Sequence, residues 1–244
     1  MRIEIIALET LPEIRRGDDL GRLIREAAEA EGQAIDRFTA LAVAQKVVSK
    51  SEGAVVDLRE VEPSPLARSW AAEWGKDARL IEVILSQSRR IVKMDRGVLI
   101  AETHHGFVCA NAGVDQSNAP GEHFVTLLPA DPDGSARRLM SAVGCGAVIV
   151  TDTFGRPWRE GLVDVAIGAA GFRPVEDYRS CADRRGRGLA STVVALADQL
   201  AAAAGLAMRK ADGCPAVLLR GAEWRAADGS ARSLIRPPDT DLFR

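Results

Sequence analysis

Long apolar runs are missing from this sequence, and so is an excess of charge of either sign. No stretch approaches the roughly 18 consecutive apolar residues that indicate a membrane-spanning helix. The N-terminal segment MRIEIIALETLPE has acidic residues within its apolar stretch, so we expect neither a secretory signal nor an anchor. With 32 basic and 34 acidic side chains, the formal net charge is -2. We therefore expect a cytoplasmic protein with no membrane or nucleic-acid partner.

Cysteine is scarce and widely spaced. The four cysteines are Cys109, Cys145, Cys181 and Cys214, and no two of them form a CxxC pair. Their sequence surroundings are unlike one another, which gives no sign of a disulfide framework. We expect four free, buried thiols in a reducing cytoplasm.

Several familiar catalytic motifs are also missing. The sequence has no HExxH metal motif, no GxSxG nucleophile elbow and no GxxxxGK(S/T) phosphate loop. The segments GCGAVI and GRGLAS each lack the third glycine of a dinucleotide fingerprint. A bound nucleotide would need a different kind of phosphate-binding segment. We expect ordinary structural roles for His104 and His123, whereas the role of His105 stays open.

What is present is an alternation of strand and helix patterns over 244 residues, enough for one large domain or two small ones. Hydrophobic periodicity and turn residues predict an α/β protein. No linker marks a boundary, so we treat residues 1–244 as one unit with a two-lobed division left open. The predicted strands are 3–8, 41–48, 90–94 paired with 98–103, 147–150, 163–167 and 215–219, and the predicted helices are 20–32, 64–89, 135–144 and 192–210. In the last helix, the apolar stripe is predicted as Leu196, Leu200, Ala203 and Leu206.

Two polar segments follow apolar runs: HGFVCANAGVDQSN at 105–118 and VTDTFGRPWREG at 150–161. Asp152 directly follows AVIVT, so we expect it just past the carboxyl end of a buried strand, where α/β sheets bind ligands. Thr153 adds a hydroxyl, and Asp115 and Asn118 add a carboxylate and an amide. Such oxygen ligands suit Mg²⁺ or Mn²⁺. From spacing alone, turn capping by each aspartate is an equal alternative.

Basic residues lie close to these segments. Arg156 and Arg159 flank the turn in FGRPWR, where guanidinium groups could bind phosphate or carboxylate, or form local salt bridges. Lys46 and Lys50 are expected to bracket the end of the second strand. They could hold phosphates or simply be solvated.

The segments together resemble a known family. The motifs that carry the resemblance are VAQKVVSKSEG, HGFVCANAGVDQSN, TDTFGRPWREGLVDVAIGAAG, DYRSCADRRGRGL, TVVALADQLAAAAGLAM and the final DLFR. In collinear order over essentially the whole chain, they resemble coenzyme F420-0:L-glutamate ligases, the gamma-glutamyl ligases of F420 biosynthesis. Some actinobacterial relatives add a flavin-binding reductase domain. Because the resemblance ends at DLFR, we expect the ligase domain alone.

The resemblance implies a reaction and an assembly. Members use GTP and a divalent cation, Mn²⁺ or Mg²⁺, helped by K⁺, to add L-glutamate to coenzyme F420-0 through gamma-linked amide bonds. The reaction class implies an acyl-phosphate intermediate. The resemblance also implies a two-lobed α/β (mixed α+β) subunit in an intertwined homodimer, with the active site near the subunit interface.

The resemblance also assigns residues. It implies metal ligation by Asp115, Asp152 and Thr153. It implies nucleotide contacts by Leu11, Pro12, Glu13, Ile14, Gln45, Lys50 and Asn118. We infer in addition that Arg156 or Arg159 binds the acidic substrate or the transferring phosphoryl group.

Four positions depart from the family pattern. Gln45 stands where some relatives have a nucleotide-contacting serine, and Ser180 replaces a usual glycine. Arg209 and Lys210 replace a glycine and a polar residue that helps to hold metal and phosphate. These changes leave open a related ligase with another carboxylate acceptor or amino acid, and a non-catalytic cofactor-binding homologue. Nucleotide preference, the second metal's ligands and the number of glutamates added are also open.

Overall fold

The computed structural model describes residues 1–179, 181–209 and 213–241. Ser180, Lys210 and the last three residues of DLFR, which the sequence singled out, lie outside these ranges. The strands are β1 (Glu4–Ala7), β2 (Thr39–Ala44), β3 (Val55–Asp57), β4 (Ser88–Asp95), β5 (Val98–Thr103), β6 (Val108–Ala110), β7 (Phe124–Thr126), β8 (Ala147–Arg156), β9 (Arg159–Ala170), β10 (Glu176–Asp177), β11 (Val193–Val194) and β12 (Ala216–Arg220). The α-helices are α1 (Leu20–Ala30), α2 (Gln45–Glu52), α3 (Pro65–Trp74), α4 (Ala78–Ser86), α5 (Pro132–Val143) and α6 (Leu196–Met208).

A five-stranded mixed sheet forms the centre of the fold, with strand order β1-β12-β2-β8-β9. Strands β2 and β8 run parallel, whereas the other neighbours are antiparallel. The mixed α/β class predicted from the sequence is confirmed. The parallel pairing ends where Ala44 of β2 meets Thr151 of β8.

Helices cover both faces of this sheet because its strands alternate two apolar faces. On one face, Leu41 and Val43 pack in a cluster with Ile24 of α1 and Leu139 of α5. On the other face, the intervening small residues of β2 pack in a cluster with Leu200 of α6. The small side chains of TALAVA allow α6 to lie close to the sheet.

A separate apolar cluster lies around α3, α4 and the three-stranded sheet β4-β5-β6. Ile81, Ile84 and Leu99 are at its centre and are almost fully buried. The predicted hairpin of residues 90–94 and 98–103 is confirmed, since β4 and β5 pair antiparallel around Arg96 and Gly97. The two-lobed division stays a prediction.

Several expectations about elements were wrong. The strand predicted over 41–48 ends at Ala44, and α2 follows at once, ending at Gly53 with a left-handed φ of 77°. The helix predicted over 64–89 is two helices, α3 and α4, because the chain turns at Gly75 with φ 63° and Asp77 then caps α4. Leu206 is exposed, because the buried positions of α6 follow a different helical register. Those buried residues are Ala197, Leu200, Ala201, Ala204 and Met208.

The cysteines are partly as expected. No disulfide forms among the described residues, which include all four cysteines. Cys109, Cys145 and Cys214 are buried, but Cys181 is exposed, so its predicted burial is wrong. Burial raises the pKa of the Cys109 and Cys145 thiols to about 12. Across the described residues, no helix is both long and apolar enough to cross a membrane.

Candidate active site

A polar cleft opens at the point where the parallel pairing of β2 and β8 ends. Asp152 is the first residue of β8 beyond Thr151, the last to pair with β2. The prediction that Asp152 lies past the end of its own strand is wrong, because β8 continues to Arg156. Asp152 nevertheless lies at the carboxyl edge of the parallel pair, the edge at which ligands bind in α/β sheets.

Helix α2 supplies the basic side of the cleft. Lys46 and Lys50 are one helical turn apart, and both line the cleft. The prediction that they bracket the end of a strand is wrong, because both lie within α2. Lys50 is almost completely buried and pairs with Glu13. A buried ammonium group is costly without a partner, and Glu13 supplies that partner here.

Gln45, also on the cleft, has an unsatisfied buried amide. Its side chain is 1% exposed, and its Oε1 accepts a hydrogen bond from Ser49 Oγ at 2.9 Å. Its Nε2 has no hydrogen-bond partner among the described residues. A buried unpaired donor is costly, and a ligand in the cleft that reached Nε2 would remove that cost.

A strained turn places Asp115. Asn111 and Ala112 have left-handed φ values of 53° and 52°, which non-glycine residues adopt at an energetic cost. Asp115 then exchanges two backbone hydrogen bonds with Thr126. Its carboxylate lies 2.8 Å from Lys46 Nζ and accepts from the Ser117 N–H at 2.7 Å.

These contacts keep Asp115 ionised. Burial acts to raise the pKa of Asp115, but hydrogen bonds from Lys46 and from Ser117 outweigh it, and the pKa lies below its ordinary value. Asp115 is therefore a carboxylate at neutral pH, as a cation ligand must be.

Asp152 and Thr153 stand between two hollows. One is the basic cleft, which Asn118 and Asp164 also line. The other contains Asp115 together with Cys109, Asn111, Phe154 and Gly155. Asp152 and Thr153 therefore line both hollows.

The donor set fits a hard divalent cation. It consists of two carboxylates, Asp115 and Asp152, and the hydroxyl of Thr153, all oxygen ligands of the kind that Mg²⁺ and Mn²⁺ prefer. Within the described ranges, no three His, Cys, Asp or Glu side chains converge on one metal position. A cation here would complete its shell with water or phosphate oxygens, as Mg²⁺ usually does.

The segment from Leu11 to Ile14 divides into anchors and a cleft residue. Ile14 is buried in the main core, and Leu11 packs against it. Pro12 is exposed, and Glu13 lines the cleft. The two apolar side chains hold the loop, so any contact with a nucleotide comes from Glu13 or from the backbone.

The structure does not bring Arg156 and Arg159 into the cleft. They face each other across the two-residue turn of the β8–β9 hairpin. The Arg156 guanidinium donates to the carbonyls of Glu160 and Gly161, which fixes the turn. The substrate contacts proposed for them stay a prediction.

The histidines have structural contacts. His104 Nε2 lies 3.0 Å from the Ser86 carbonyl, and His105 Nε2 lies 3.0 Å from the Pro129 carbonyl. A carbonyl only accepts, so both Nε2 atoms carry the proton. The His105 ring also stacks on Phe107. Neither histidine lines the cleft.

Sequence reasoning missed Asp164, which is buried on β9 and lines the cleft. A single acid within the apolar run LVDVAIG was the available signal. The end of α6 and the start of β12 were also missed, and they supply Met208, Cys214 and Pro215 to the lining. Arg209, noted only as a departure, lies there as well.

An α/β sheet whose open carboxyl edge combines lysines, an unpaired amide and carboxylates has the donor groups that phosphate compounds and hard cations require. The chain belongs to the F420-0:gamma-glutamyl ligase family, whose model matches residues 9–221.

Curated relatives extend over the full chain. This chain is 45% identical to the coenzyme F420:L-glutamate ligase of Methanothermobacter thermautotrophicus, and the similarity covers all of both chains. It is 49% identical to the protein of that name in Methanopyrus kandleri, with all of this chain and 98% of the relative covered. The corresponding protein of Methanocaldococcus jannaschii is 39% identical, with 100% and 97% covered.

Proposed function

We propose that this protein is a GTP-dependent ligase that adds L-glutamate to coenzyme F420-0 through gamma-linked amide bonds, in F420 biosynthesis. Full-length similarity to ligases of that name supports the substrates. The observation that carries the chemistry is one edge of the sheet, where Asp152 and Thr153 lie between a lysine-lined cleft and Asp115.

The cleft suits the nucleotide's phosphates. Lys50 would neutralise phosphate charge, and the Gln45 Nε2 would donate to an oxygen that replaces its missing partner. Asn118 lines the same cleft and offers a further amide. These residues bind and orient the triphosphate. The preference for GTP is part of the proposal and rests on the family resemblance.

Asp115, Asp152 and Thr153 would hold Mg²⁺ or Mn²⁺. When bound, the cation supplies charge neutralisation at the phosphate oxygens, which is the main requirement of phosphoryl transfer. The Lys46 ammonium already neutralises Asp115 and would have to share that carboxylate with the cation. A helping role for K⁺ is likewise proposed from the resemblance.

The proposed reaction has two steps. The acceptor's carboxylate oxygen attacks the γ-phosphorus of GTP, which breaks the bond to the bridging oxygen and gives an acyl phosphate and GDP. The glutamate amine then attacks the acyl carbon, inorganic phosphate leaves, and the amine proton passes to solvent. Positioning and electrostatics do most of this work, so a protein nucleophile is not required.

We also propose a homodimer. Trp158 and Leu162, at the tip of the β8–β9 hairpin, are 80% and 68% exposed, which is unusual for large apolar side chains. A second subunit packed on this tip would remove them from water. That subunit could also bring a substrate towards Arg156 or Arg159.

One assay tests the proposed activity. Purified protein is incubated with GTP, Mn²⁺, L-glutamate and F420-0, and GDP release and product mass are followed. We expect glutamate-dependent GDP release and a mass increase of one or more glutamate residues. Turnover only with another carboxylate acceptor or amino acid would favour a related ligase, and no turnover with any acceptor would leave a cofactor-binding homologue.

A further inference from the structure

Glu13 and Lys50 form an ion pair in the lining of the cleft. Lys50 Nζ lies 2.5 Å from Glu13 Oε1. The two side chains differ in exposure, since 7% of Lys50 and 74% of Glu13 is accessible to solvent. Among the described residues, the Lys50 ammonium has no ionic or hydrogen-bonding partner other than Glu13. The counter-ion of a buried ammonium is therefore an exposed carboxylate.

The two members of the pair are held unequally. Lys50 belongs to helix α2, which packs on the main core. Glu13 belongs to the loop between β1 and α1. This loop is fixed by Ile14, which is buried in the core, and by the Gly17 N–H, which donates to the Ser51 carbonyl at 2.9 Å. The flexible Glu13 side chain can therefore leave Lys50 while the helix and the loop stay in place.

A carboxylate that leaves Lys50 must be replaced. The Glu13 carboxylate would be solvated by water, whereas the Lys50 ammonium would stay buried without a partner, which is costly. Another anion at Lys50 removes this cost, but it is repelled by the Glu13 carboxylate while the pair persists. A phosphate oxygen and the Glu13 carboxylate therefore compete for one ammonium.

The charges in the lining of the cleft add to this competition. Among the described residues, the formally charged side chains there are three cations and three carboxylates: Lys46, Lys50, Arg209, Glu13, Asp152 and Asp164. The lining is therefore balanced in formal charge while Glu13 is in place. Movement of Glu13 into solvent leaves positive charge in excess, which favours a polyanion.

We propose that Glu13 is a displaceable competitor of phosphate at Lys50, and that it thereby selects nucleotides over inorganic phosphate. The inference rests on the proposed nucleotide binding and adds an opposing charge to it. Inorganic phosphate, a product of the proposed reaction, makes few contacts besides Lys50, so it does not offset the cost of displacing Glu13. A nucleotide makes further contacts in the cleft and binds despite that cost. The carboxylate's return to Lys50 then favours release of the products.

Calorimetric titration with GDP in the presence of Mn²⁺ tests the competition. Glu13→Gln keeps the size of the side chain and removes its charge, so we expect it to tighten GDP binding roughly 3- to 10-fold at low ionic strength. The gain should shrink as salt is added. Glu9→Gln is the matched control, because it removes an exposed carboxylate from the same loop, outside the lining of the cleft. It should bind GDP as the wild type does.

Thermal unfolding with added inorganic phosphate tests the selectivity without a nucleotide. Glu13→Gln leaves the Lys50 ammonium without a charged partner, so phosphate should raise its melting temperature by about 2–4 °C. The wild type should respond much less, with sodium chloride at matched ionic strength as the reference. Glu13→Gln/Lys50→Met should lose the response, because the buried ammonium is gone. Circular dichroism confirms that each variant is folded.

The outcomes separate the two hypotheses. Wild-type protein that binds no GDP contradicts the proposed nucleotide site, and the phosphate response of Glu13→Gln still tests the competition at Lys50. If the wild type binds GDP and Glu13→Gln binds it no more tightly than Glu9→Gln does, the competition is overturned. An equal phosphate response in the wild type and Glu13→Gln overturns the selectivity.

Discussion

Lys46 Nζ lies 2.8 Å from the Asp115 carboxylate and joins the helix after β2 to the loop before β7. The two residues are 69 positions apart in sequence (115 − 46), and each lines one of the two hollows beside Asp152. This ion pair therefore links the lysine-lined cleft to the hollow that contains Asp115. Cation binding at Asp115 would be coupled to the position of a lysine that lines the cleft.

Replacing Asp152 should abolish turnover without unfolding the protein. The carboxylate is only partly buried and lies at the open edge of the sheet, so Asp152→Ala removes a proposed cation ligand and little packing. We expect glutamate-dependent GDP release to fall on the order of 100-fold or more. Asp95→Ala, at the exposed turn between β4 and β5, serves as the control. Unchanged activity in Asp152→Ala would show that the metal assignment is wrong.

Replacing Gln45 should separate stability from nucleotide binding. Gln45→Met keeps the volume and removes an amide donor that has no partner in the described protein. We expect little change in the melting temperature and a KM for GTP raised roughly 5- to 10-fold, the effect of one hydrogen bond. Gln45→Met also removes the acceptor of the Ser49 hydroxyl. The double variant Gln45→Met/Ser49→Ala controls for that loss. A normal KM in both variants would remove Gln45 from the nucleotide site.

Asp198 should make stability depend on pH. Burial raises the pKa of this carboxyl, although the Ala166 N–H, which donates to it, acts in the opposite direction. Arg236 and Asp241 line the same hollow. Because the folded protein holds the proton more tightly than the unfolded chain, this group's contribution is full below the unfolded pKa and is lost as pH rises through the folded pKa.

Asp198→Asn removes this dependence and keeps an oxygen for the Ala166 N–H. We expect its melting temperature to exceed that of the wild type by about 1–3 °C at pH 7 and to match it near pH 4. Thermal unfolding at the two pH values provides the measurement. A constant difference between the proteins at both pH values would argue against the raised pKa.

Charge at the hairpin tip should disrupt the proposed dimer. Trp158→Glu combined with Leu162→Lys replaces exposed apolar side chains with charged ones, which a packed interface would not tolerate. Light scattering should report a dimer for the wild type and a monomer for the double variant. Leu206→Lys, an equally exposed leucine on α6, is the matched control and should stay dimeric. A wild-type monomer with full activity would contradict the dimer.

Local patterns predicted local structure well. Helix α1 and the β4–β5 hairpin are determined by periodicity and turn residues within short segments, and both are where the sequence indicated. The boundary at Ala44 was missed because Val47 and Val48 continue the apolar run, although their helix already packs on the sheet. Periodicity cannot distinguish a buried strand from a short buried helix over so few residues.

The site was only partly predictable. Asp115 and Asp152 stood out because each follows an apolar run and is surrounded by small polar residues. Asp164 did not stand out, since its position opposite Thr153 depends on strand register. Counting outward from the Arg156–Arg159 pair would place Leu162 opposite Thr153, but an irregularity between Phe154 and Arg156 shifts the register and brings in Asp164. Bulges of this kind are set by tertiary packing.

The short length of β2 leaves space for the cleft at the edge of the sheet. Had β2 run on to Val48, its backbone would have paired with Asp152, Thr153 and the residues beyond, and its side chains would have filled the space that the cleft occupies. The chain instead turns into α2 directly after Ala44, so one flank of β8 is left without a neighbour just where its polar residues begin. An insertion that lengthened β2 by a few residues would fill the cleft, although every polar side chain of the site would still be present in the sequence.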